Sequence, residues 1–176
     1  MEIKQEELKI LYSEKEIQQK IEELALKLND LYQDEEVTVI CTLKGAVMFT
    51  TDLVRKFNFP VKMEFIRLSS YGSGTTSSGK VNAVDIKLPD LNGKNTLIIE
   101  DIIDTGLTAK FLIDFVNLNF HVKSLKFCSL LDKKISRKVD IHPDYYCFET
   151  DDKFVVGYGL DYDGYFRNLP YIAYKD

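Results

Sequence analysis

The chain has 176 residues, and 23 Lys+Arg against 28 Asp+Glu give it a formal net charge of −5. This length fits one domain, and the acidic balance argues against a protein built mainly to coat nucleic acid or an anionic membrane. No apolar run approaches the roughly 18 residues that span a bilayer, and the N-terminus lacks the apolar segment of a secretory signal. Three scattered cysteines are too few for a disulfide framework or a C-x-x-C metal site, which favours a reducing cytoplasm.

The first helix is predicted from a capping signal. Ser13 followed by Glu16 matches a capping box, and apolar residues at helical spacing continue to about Tyr32. The remaining predicted elements are a helix at about 46–56 and another at 105–118, with strands at 37–42, 61–65, 81–86, 96–99, 122–131, 145–148 and 154–158. Strands that alternate with helices imply right-handed crossovers and a mostly parallel sheet, hence an α/β fold. Ligands bind such sheets beyond the carboxyl ends of the strands, so the segments after residues 42, 69, 99 and 131 are candidates.

Residues 69–80 form a loop of Ser, Thr and Gly around Tyr71. The loop fits seven positions of the nucleotide-binding pattern G-x-x-x-x-G-K-[ST], but the eighth is Val81, which has no hydroxyl for Mg²⁺, and no helix follows. Two interpretations stay open, a solvated connection or a lid over a site. Long loops without secondary structure are usually functional or disordered, and the large ring of Tyr71 favours the lid.

The strongest signal is the segment LIIEDIIDTGLT at residues 97–108. An apolar strand is followed by Glu100, Asp101 and Asp104, and then by a turn of small residues that opens a helix. Backbone N–H groups at residues 105–108, threonine hydroxyls and the helix dipole suit a phosphate monoester. Carboxylates there would repel the phosphate unless they bind ribose hydroxyls or a divalent metal such as Mg²⁺. The alternative is an acidic strand end that only caps the helix.

This segment resembles the ribose-5-phosphate and diphosphate signature of type I phosphoribosyltransferases. The motifs LKGA at 43–46, SSYG at 69–72, DKFVVGY at 152–158 and LDY at 160–162 are similar, in order, to those of hypoxanthine (hypoxanthine–guanine) phosphoribosyltransferases of the short bacterial kind. The resemblance covers nearly the whole chain. It implies a single domain with a twisted, mostly parallel sheet flanked by helices, a core at about 13–140, a small purine-binding hood mainly at 141–176 plus N-terminal residues, and a flexible lid at 69–80.

The activity that the resemblance implies is purine salvage. The 5-phosphoribosyl group of phosphoribosyl pyrophosphate would pass to N9 of hypoxanthine and guanine, giving IMP or GMP and pyrophosphate. Displacement at C1 with oxocarbenium character calls for a lid that excludes water, and for Mg²⁺ to neutralise the leaving pyrophosphate. The implied partners are these substrates and further copies of the chain, as a homodimer or homotetramer in the cytoplasm, with no nucleic acid or membrane.

The resemblance also implies residue roles, with Asp104 as the catalytic acceptor of the N7 proton, which makes N9 the better nucleophile. The residues for ribose and 5-phosphate are Glu100, Asp101, Asp104, Thr105, Gly106, Leu107 and Thr108. Those for pyrophosphate are Lys44, Gly45 and Arg167, where the family often has a cis peptide before the lysine. The lid residues are Ser70 and Tyr71, and the metal residues are Glu100, Asp101 and Asp161.

The purine-binding residues that the resemblance implies are Lys133, Phe154, Val155 and Asp161. Lysine offers donors only, so Lys133 facing O6 would favour 6-oxopurines over adenine. Phe154 would stack on the purine, the Val155 carbonyl would accept from a 2-amino group, and Lys134 stays open as the alternative to Lys133.

The sequence departs from the family pattern at two places, and two other functions stay open. Leu107 stands where some relatives carry Lys or Arg, and Tyr146-Cys147 replaces a small, Gly-containing pair. One alternative is a regulator that senses phosphoribosyl pyrophosphate and binds RNA or DNA, against which the absent basic face speaks. The other is a transferase for xanthine or a pyrimidine.

Overall fold

The computed structural model describes residues 4–70 and 81–175. In chain order the elements are β1 (Lys9–Tyr12), α1 (Glu14–Tyr32), β2 (Val37–Leu43), α2 (Val47–Val54), β3 (Val61–Ser70), β4 (Val81–Asp85), β5 (Asn95–Ile103), α3 (Leu107–Asn119), β6 (Ser124–Asp132), β7 (Tyr145–Glu149), β8 (Val155–Val156) and β9 (Ile172–Tyr174), with 3₁₀ turns at Gln5–Glu7 and Lys134–Ser136. Strands and helices alternate through most of this order. The predicted α/β class is confirmed.

The larger of two sheets has six strands in the order β4-β3-β2-β5-β6-β7. All neighbours are parallel except β4, which runs antiparallel to β3 at one edge. Leu97 of β5 packs in a core with α1 and α2, and the next residue, Ile98, packs in a core with α3. A strand covered by helices on both faces is apolar at consecutive positions, which is the pattern that the sequence shows at 96–99.

Helix α1 begins where the capping box predicts. The Ser13 backbone N–H donates to Glu16 Oε2 at 2.8 Å, and the Glu16 backbone N–H donates to Ser13 Oγ at 3.4 Å. The helix then buries one stripe of apolar side chains against the sheet.

Strand β5 runs four residues beyond its predicted end at residue 99. Ile102 and Ile103 continue the parallel pairing with Leu131 and Asp132 of β6. The prediction stopped early because carboxylates interrupt the apolar run at Glu100. Glu100 and Asp101 therefore lie inside β5, and hydrogen bonding to β6 holds the strand both before and after them.

The smaller sheet is antiparallel, in the order β1-β9-β8. Strand β8 is shorter than the predicted strand at 154–158, because Gly157 and Tyr158 have φ of +99° and +50°, which no β-strand accommodates. Strands β1 and β9 were not predicted. Strand β7 pairs with β6 in the larger sheet, so residues 145–149, which the sequence assigned to the hood, pack with the core.

Three further predictions from the sequence concern the lid, the cysteines and membrane-spanning segments. The proposed lid at 69–80 is described only to Ser70, where β3 ends, and Tyr71 lies outside the described residues. The three cysteines are buried and unpaired, and burial raises the pKa of Cys147 to about 12, so that thiol stays protonated and unreactive. Among residues 4–70 and 81–175, no helix is long and apolar enough to cross a membrane.

Candidate active site

The predicted site residues gather at the carboxyl edge of the larger sheet, where parallel strands β2, β5 and β6 end together. Strand β2 leads into a cis peptide between Leu43 and Lys44. Strand β5 delivers Glu100 and Asp101 and leads into the N-terminus of α3. This is the edge at which open α/β sheets bind ligands.

Glu100 is buried at this edge. Its side chain is 6% exposed, and the Thr42 hydroxyl lies 2.8 Å from Oε2 and 3.0 Å from the Ile99 carbonyl oxygen. The other oxygen, Oε1, has no hydrogen-bond partner. Burial, and then repulsion from Asp101, raise the pKa of Glu100 well above its usual range. A buried acceptor with no partner is the kind of group that a ligand hydroxyl or a cation satisfies.

Asp101 lies against the loop that follows β2. A Cβ added to Gly45 would lie 1.5 Å from Asp101 Oδ2, so no other residue fits at Gly45 while this carboxylate keeps its position. Asp101 Oδ1 accepts from the Ile102 backbone N–H at 3.0 Å. Burial raises the pKa of Asp101, and the nearby Arg167 guanidinium partly offsets this effect.

Arg167 is held by two acceptors from its own segment. Nη2 contacts Asp161 Oδ1 at 2.5 Å, and Nη1 donates to the Gly159 carbonyl oxygen at 2.6 Å. Asp161 Oδ2 accepts from the Gly164 N–H at 2.8 Å, so both Asp161 oxygens have protein partners. Gly159 in turn has φ +102°, and a Cβ there would lie 2.0 Å from the Gly45 carbonyl oxygen. The C-terminal segment therefore docks directly on the Lys44-Gly45 loop.

A cleft of ≈ 70 Å³ opens beside the N-terminus of α3. Its lining comprises Glu100, Ile102, Ile103, Asp104, Thr105, Gly106, Thr108 and Ala109. Five of the seven residues expected to contact ribose and 5-phosphate are in this set, and the other two, Asp101 and Leu107, adjoin it in sequence. Gly106 precedes the helix with φ +82°, and the first N–H groups of the helix have no partner within it. The arrangement suits an anion at the helix terminus.

The predicted purine side lies between the end of β6 and strand β8. Lys133 Nζ forms an ion pair with Asp152 Oδ1 at 2.8 Å and lies 3.4 Å from the Lys153 carbonyl oxygen. The Lys133 side chain is 12% exposed, whereas Lys134 is exposed and pairs with Glu149.

The aromatic residue expected on this side is open to solvent. Phe154 is 57% exposed and meets the Tyr162 ring edge-on, with 5.9 Å between centroids, and the neighbouring Val155 is buried. An exposed flat ring on the same side as the mostly buried Lys133 can stack against a planar ligand.

A metal site made of protein groups alone is absent from the described part of the chain, where no three His, Cys, Asp or Glu side chains group suitably. Glu100 and Asp101 still fit Mg²⁺, because this ion usually takes one or two carboxylates and completes its shell with water and substrate phosphates. Glu100 also offers an unpartnered buried oxygen. Asp161, which is also predicted as a metal ligand, contacts Arg167 here.

Sequence reasoning missed three residues of this region. Arg137 contacts the backbone of Asp104, Asp152 pairs with Lys133, and Asp132 pairs with Arg137. No motif marks Arg137 or Asp132 for this role, because their contacts form only when the segment after β6 folds back on the segment after β5. Asp152 is the first residue of a recognised motif, yet its pairing with Lys133 joins positions 19 apart in the chain.

Comparison with known proteins identifies the class to which this fold and site belong. The sequence model of one protein family, the phosphoribosyl transferase domain, matches residues 7–163 of this chain. The chain belongs to the phosphoribosyltransferase family and is an enzyme of that class, as the sequence motifs predicted.

Individual relatives are closely similar over almost their whole length. The chain is 46% identical over 165 residues to the hypoxanthine-guanine phosphoribosyltransferase of Bacillus subtilis, covering 94% of this chain and 91% of that one. It is 46% identical over 170 residues to the enzyme of the same name from Aquifex aeolicus, covering 96% and 95%. Among solved structures, a hypoxanthine phosphoribosyltransferase from Staphylococcus aureus matches with a TM-score of 0.91 and 38% identity, covering 97% of this chain and 93% of that chain. A hypoxanthine-guanine phosphoribosyltransferase from Bacillus anthracis matches with a TM-score of 0.90 and 43% identity, covering 99% and 100%.

Glu100→Gln tests the buried carboxyl. A raised pKa means that the folded state keeps a proton that the unfolded chain releases, so the stability that Glu100 contributes is full at low pH and is lost as pH rises. We expect the variant to gain free energy of unfolding relative to the wild type at pH 8 and to gain less at pH 5, in urea denaturation. The exposed Glu6→Gln is the control for removal of a charge, and an equal gain at both pH values would contradict the assignment.

Gly159→Ala tests the docking of the C-terminal segment. The added Cβ would collide with the Gly45 carbonyl and would also meet an unfavourable positive φ. Gly164→Ala is the matched control, because φ there is +84° and nothing lies within 4 Å of its Cβ position. We expect thermal unfolding to show a loss of roughly 1 kcal/mol for Gly164→Ala and clearly more for Gly159→Ala. Equal losses would mean that the two loops do not constrain each other.

Proposed function

We propose that this protein is a purine salvage enzyme that transfers the 5-phosphoribosyl group of phosphoribosyl pyrophosphate to N9 of hypoxanthine and guanine. The products are IMP or GMP and pyrophosphate. The observation that carries the proposal is the cleft at the N-terminus of α3, where Glu100, buried near the end of β5, adjoins a helix terminus suited to an anion. The names of relatives that are 46% identical support the choice of bases.

The 5-phosphate and the ribose are assigned to opposite ends of this cleft. The N–H groups and hydroxyls of Thr105 and Thr108 would bind the phosphate, which the helix dipole also favours. Glu100 and Asp101 would bind the ribose hydroxyls, directly or through Mg²⁺. The Mg²⁺ ion, when bound with the substrate, supplies positive charge that stabilises the leaving pyrophosphate.

The pyrophosphate is assigned to the cations on the other side of Gly45. Lys44 is exposed at the loop after β2, and Arg167 is already oriented by Asp161 and the Gly159 carbonyl. A guanidinium fixed in this way presents its remaining N–H groups to phosphate oxygens without losing further side-chain freedom. Departure of pyrophosphate from C1 would leave oxocarbenium character on the ribose, which Glu100 and Asp101 would stabilise in their ionised form.

The base is assigned to the space between Lys133 and Phe154. Lys133 has one N–H beyond those used by Asp152 and the Lys153 carbonyl, and this donor suits the O6 acceptor of a 6-oxopurine. Phe154 would stack on the purine, and Val155 would accept from a 2-amino group through its carbonyl oxygen. Asp104, exposed at the edge of the cleft, would take the N7 proton as N9 bonds to C1. By the same resemblance we expect a homodimer or a homotetramer.

Asp104→Asn combined with a panel of bases tests the proposed reaction. Nucleotide formation is followed by ultraviolet absorbance with phosphoribosyl pyrophosphate, Mg²⁺ and hypoxanthine, guanine, xanthine or adenine in separate assays. We expect turnover of hypoxanthine and guanine and none of adenine. Because the variant cannot accept the proton, kcat should fall by roughly 10²–10⁴ while phosphoribosyl pyrophosphate still binds.

The control for this assay is Asp114→Asn, which removes an exposed carboxylate from α3 and should leave kcat unchanged. Turnover of xanthine in place of hypoxanthine would assign another base. Binding of phosphoribosyl pyrophosphate without reaction of any base would favour a regulatory protein.

Lys133→Met tests the choice of base. Loss of a charged donor to O6 should raise KM for hypoxanthine by about 10- to 100-fold and leave KM for phosphoribosyl pyrophosphate near the wild-type value. Lys134→Met is the matched control, because this neighbouring lysine pairs with Glu149 at 2.6 Å on an exposed surface. Steady-state kinetics with both substrates varied distinguishes the two, and an effect of Lys134→Met alone would move the contact to the neighbouring residue.

A further inference from the structure

Arg137 binds the backbone of the loop between β5 and α3. Its Nε donates to the Asp104 carbonyl oxygen at 3.1 Å, and Nη2 lies 3.4 Å from the Ile103 carbonyl oxygen. Nη1 donates to the Ile141 carbonyl oxygen, and Nη2 forms an ion pair with the Asp132 carboxylate. The Asp132 side chain is 1% exposed and the Arg137 side chain 10% exposed, so the pair is almost dry.

The segment around Arg137 hydrogen-bonds to the carbonyl groups of three consecutive residues, at the end of β5 and in the loop that follows it. Besides the two contacts of Arg137, the Lys133 N–H donates to the Ile103 carbonyl and the Lys138 N–H donates to the Thr105 carbonyl, both at 2.9 Å. Residues 133–138 therefore bind the carbonyl oxygens of residues 103, 104 and 105. Each of these contacts joins a loop beyond β6 to the loop beyond β5.

The orientation of these carbonyl groups fixes the orientation of the N–H groups that follow them. In a planar trans peptide the C=O and the N–H point in opposite directions. Carbonyls that face residues 133–138 therefore turn the N–H groups of residues 104, 105 and 106 away from that segment. Residues 104, 105 and 106 line the cleft, and none of residues 133–138 does.

The same contact surface limits the residue at the turn. Gly106 has φ +82°, and a Cβ there would lie 2.8 Å from Arg137 Cδ and 3.0 Å from Val139 Cγ2. The turn that opens α3 is thus packed against the arginine stem as well as hydrogen-bonded to its guanidinium. Two independent features of Arg137, its apolar stem and its fork of donors, act on one loop.

We infer that Arg137, with Asp132 as its counter-ion, is a positioning residue that presets the backbone N–H groups at 104–106 for an anionic phosphate. This inference rests on the proposed function, because it assumes that the cleft receives the 5-phosphate. Its physical basis is preorganisation: a loop already ordered before binding does not lose conformational freedom when the phosphate arrives. Arg137 acts through the loop and contacts no substrate itself.

Arg137→Lys is the primary test, because it keeps the charge that Asp132 requires and removes the fork. A lysine has three donors on one atom and does not reach four acceptors on separate backbone and side-chain groups. We expect the affinity for ribose 5-phosphate, measured by titration calorimetry, to fall about tenfold as the loop becomes less ordered. Binding of pyrophosphate with Mg²⁺, which uses Lys44 and Arg167, should remain at the wild-type value.

Amide hydrogen exchange distinguishes a local effect from a general loss of stability, because a general loss would accelerate exchange throughout the sheet as well as near the loop. In Arg137→Lys, exchange of the Lys133 and Lys138 N–H groups, which donate to the carbonyls of residues 103 and 105, should accelerate while exchange in the centre of β5 stays slow. Asp132→Asn keeps an acceptor for Arg137 without the charge, and it should give a smaller change of the same kind. Lys138→Gln is the control for loss of a neighbouring exposed charge, because only the Lys138 backbone contacts the loop.

The outcomes separate the inference from the function on which it rests. If the wild-type protein does not bind ribose 5-phosphate, the proposed function fails. If the wild type binds it and Arg137→Lys binds it equally well, the positioning role is wrong. Equal losses for ribose 5-phosphate and for pyrophosphate would also overturn it, because they would indicate a general structural effect.

Discussion

Two neighbouring carboxyl groups on the central strand β5 lie at the edge of the sheet, Glu100 buried and Asp101 partly buried, and much of the surrounding structure accommodates them. Taking such groups from water disfavours their charged form and raises the pKa of both. Thr42 donates a hydrogen bond to one, and the other lies against Gly45, where no side chain fits. This unfavourable arrangement is tolerable because the strand on either side is held in a six-stranded sheet with a core on each face.

In the candidate active site, loops approach one another closely through their main chains at several glycines. Gly45 meets Asp101, Gly159 meets the carbonyl of Gly45, and Gly106 meets the stem of Arg137. At each of these places a Cβ would come within 3 Å of another group. Loops from distant parts of the chain thereby come close enough for cations and carboxylates to act on one small substrate. All three glycines are needed because they lack a Cβ, and Gly106 and Gly159 also have a positive φ.

The charged groups of the site form ion pairs, and in each pair the carboxylate orients the cationic side chain. Asp161 orients Arg167, Asp152 orients Lys133, and Asp132 orients Arg137. An ion pair of this kind contributes modestly to stability when exposed, but it restricts a long cationic side chain before the substrate arrives. In the proposed function Arg167 faces the leaving pyrophosphate and Lys133 faces the base, and the acidic residue beside each keeps it in place. On that proposal, a protein of net charge −5 presents cations to an anionic substrate at a few fixed positions.

The sequence by itself determined the α/β class, the first helix with its cap, the positions of all six strands of the larger sheet and the strand-turn-helix segment at 97–108, because these depend on local periodicity and on motifs within a few residues. The motifs also placed the family. Tertiary structure alone decided the length of β5, the small sheet that joins β1 to β8 and β9, and the contacts of Arg137 with Asp132 and with the loop before α3. Strand β5 continues past its carboxylates because β6 supplies the ladder partners, and β1 is a strand because β9, at the other end of the chain, pairs with it. Such contacts join residues far apart in sequence, and their energy depends on a geometry that no short segment contains.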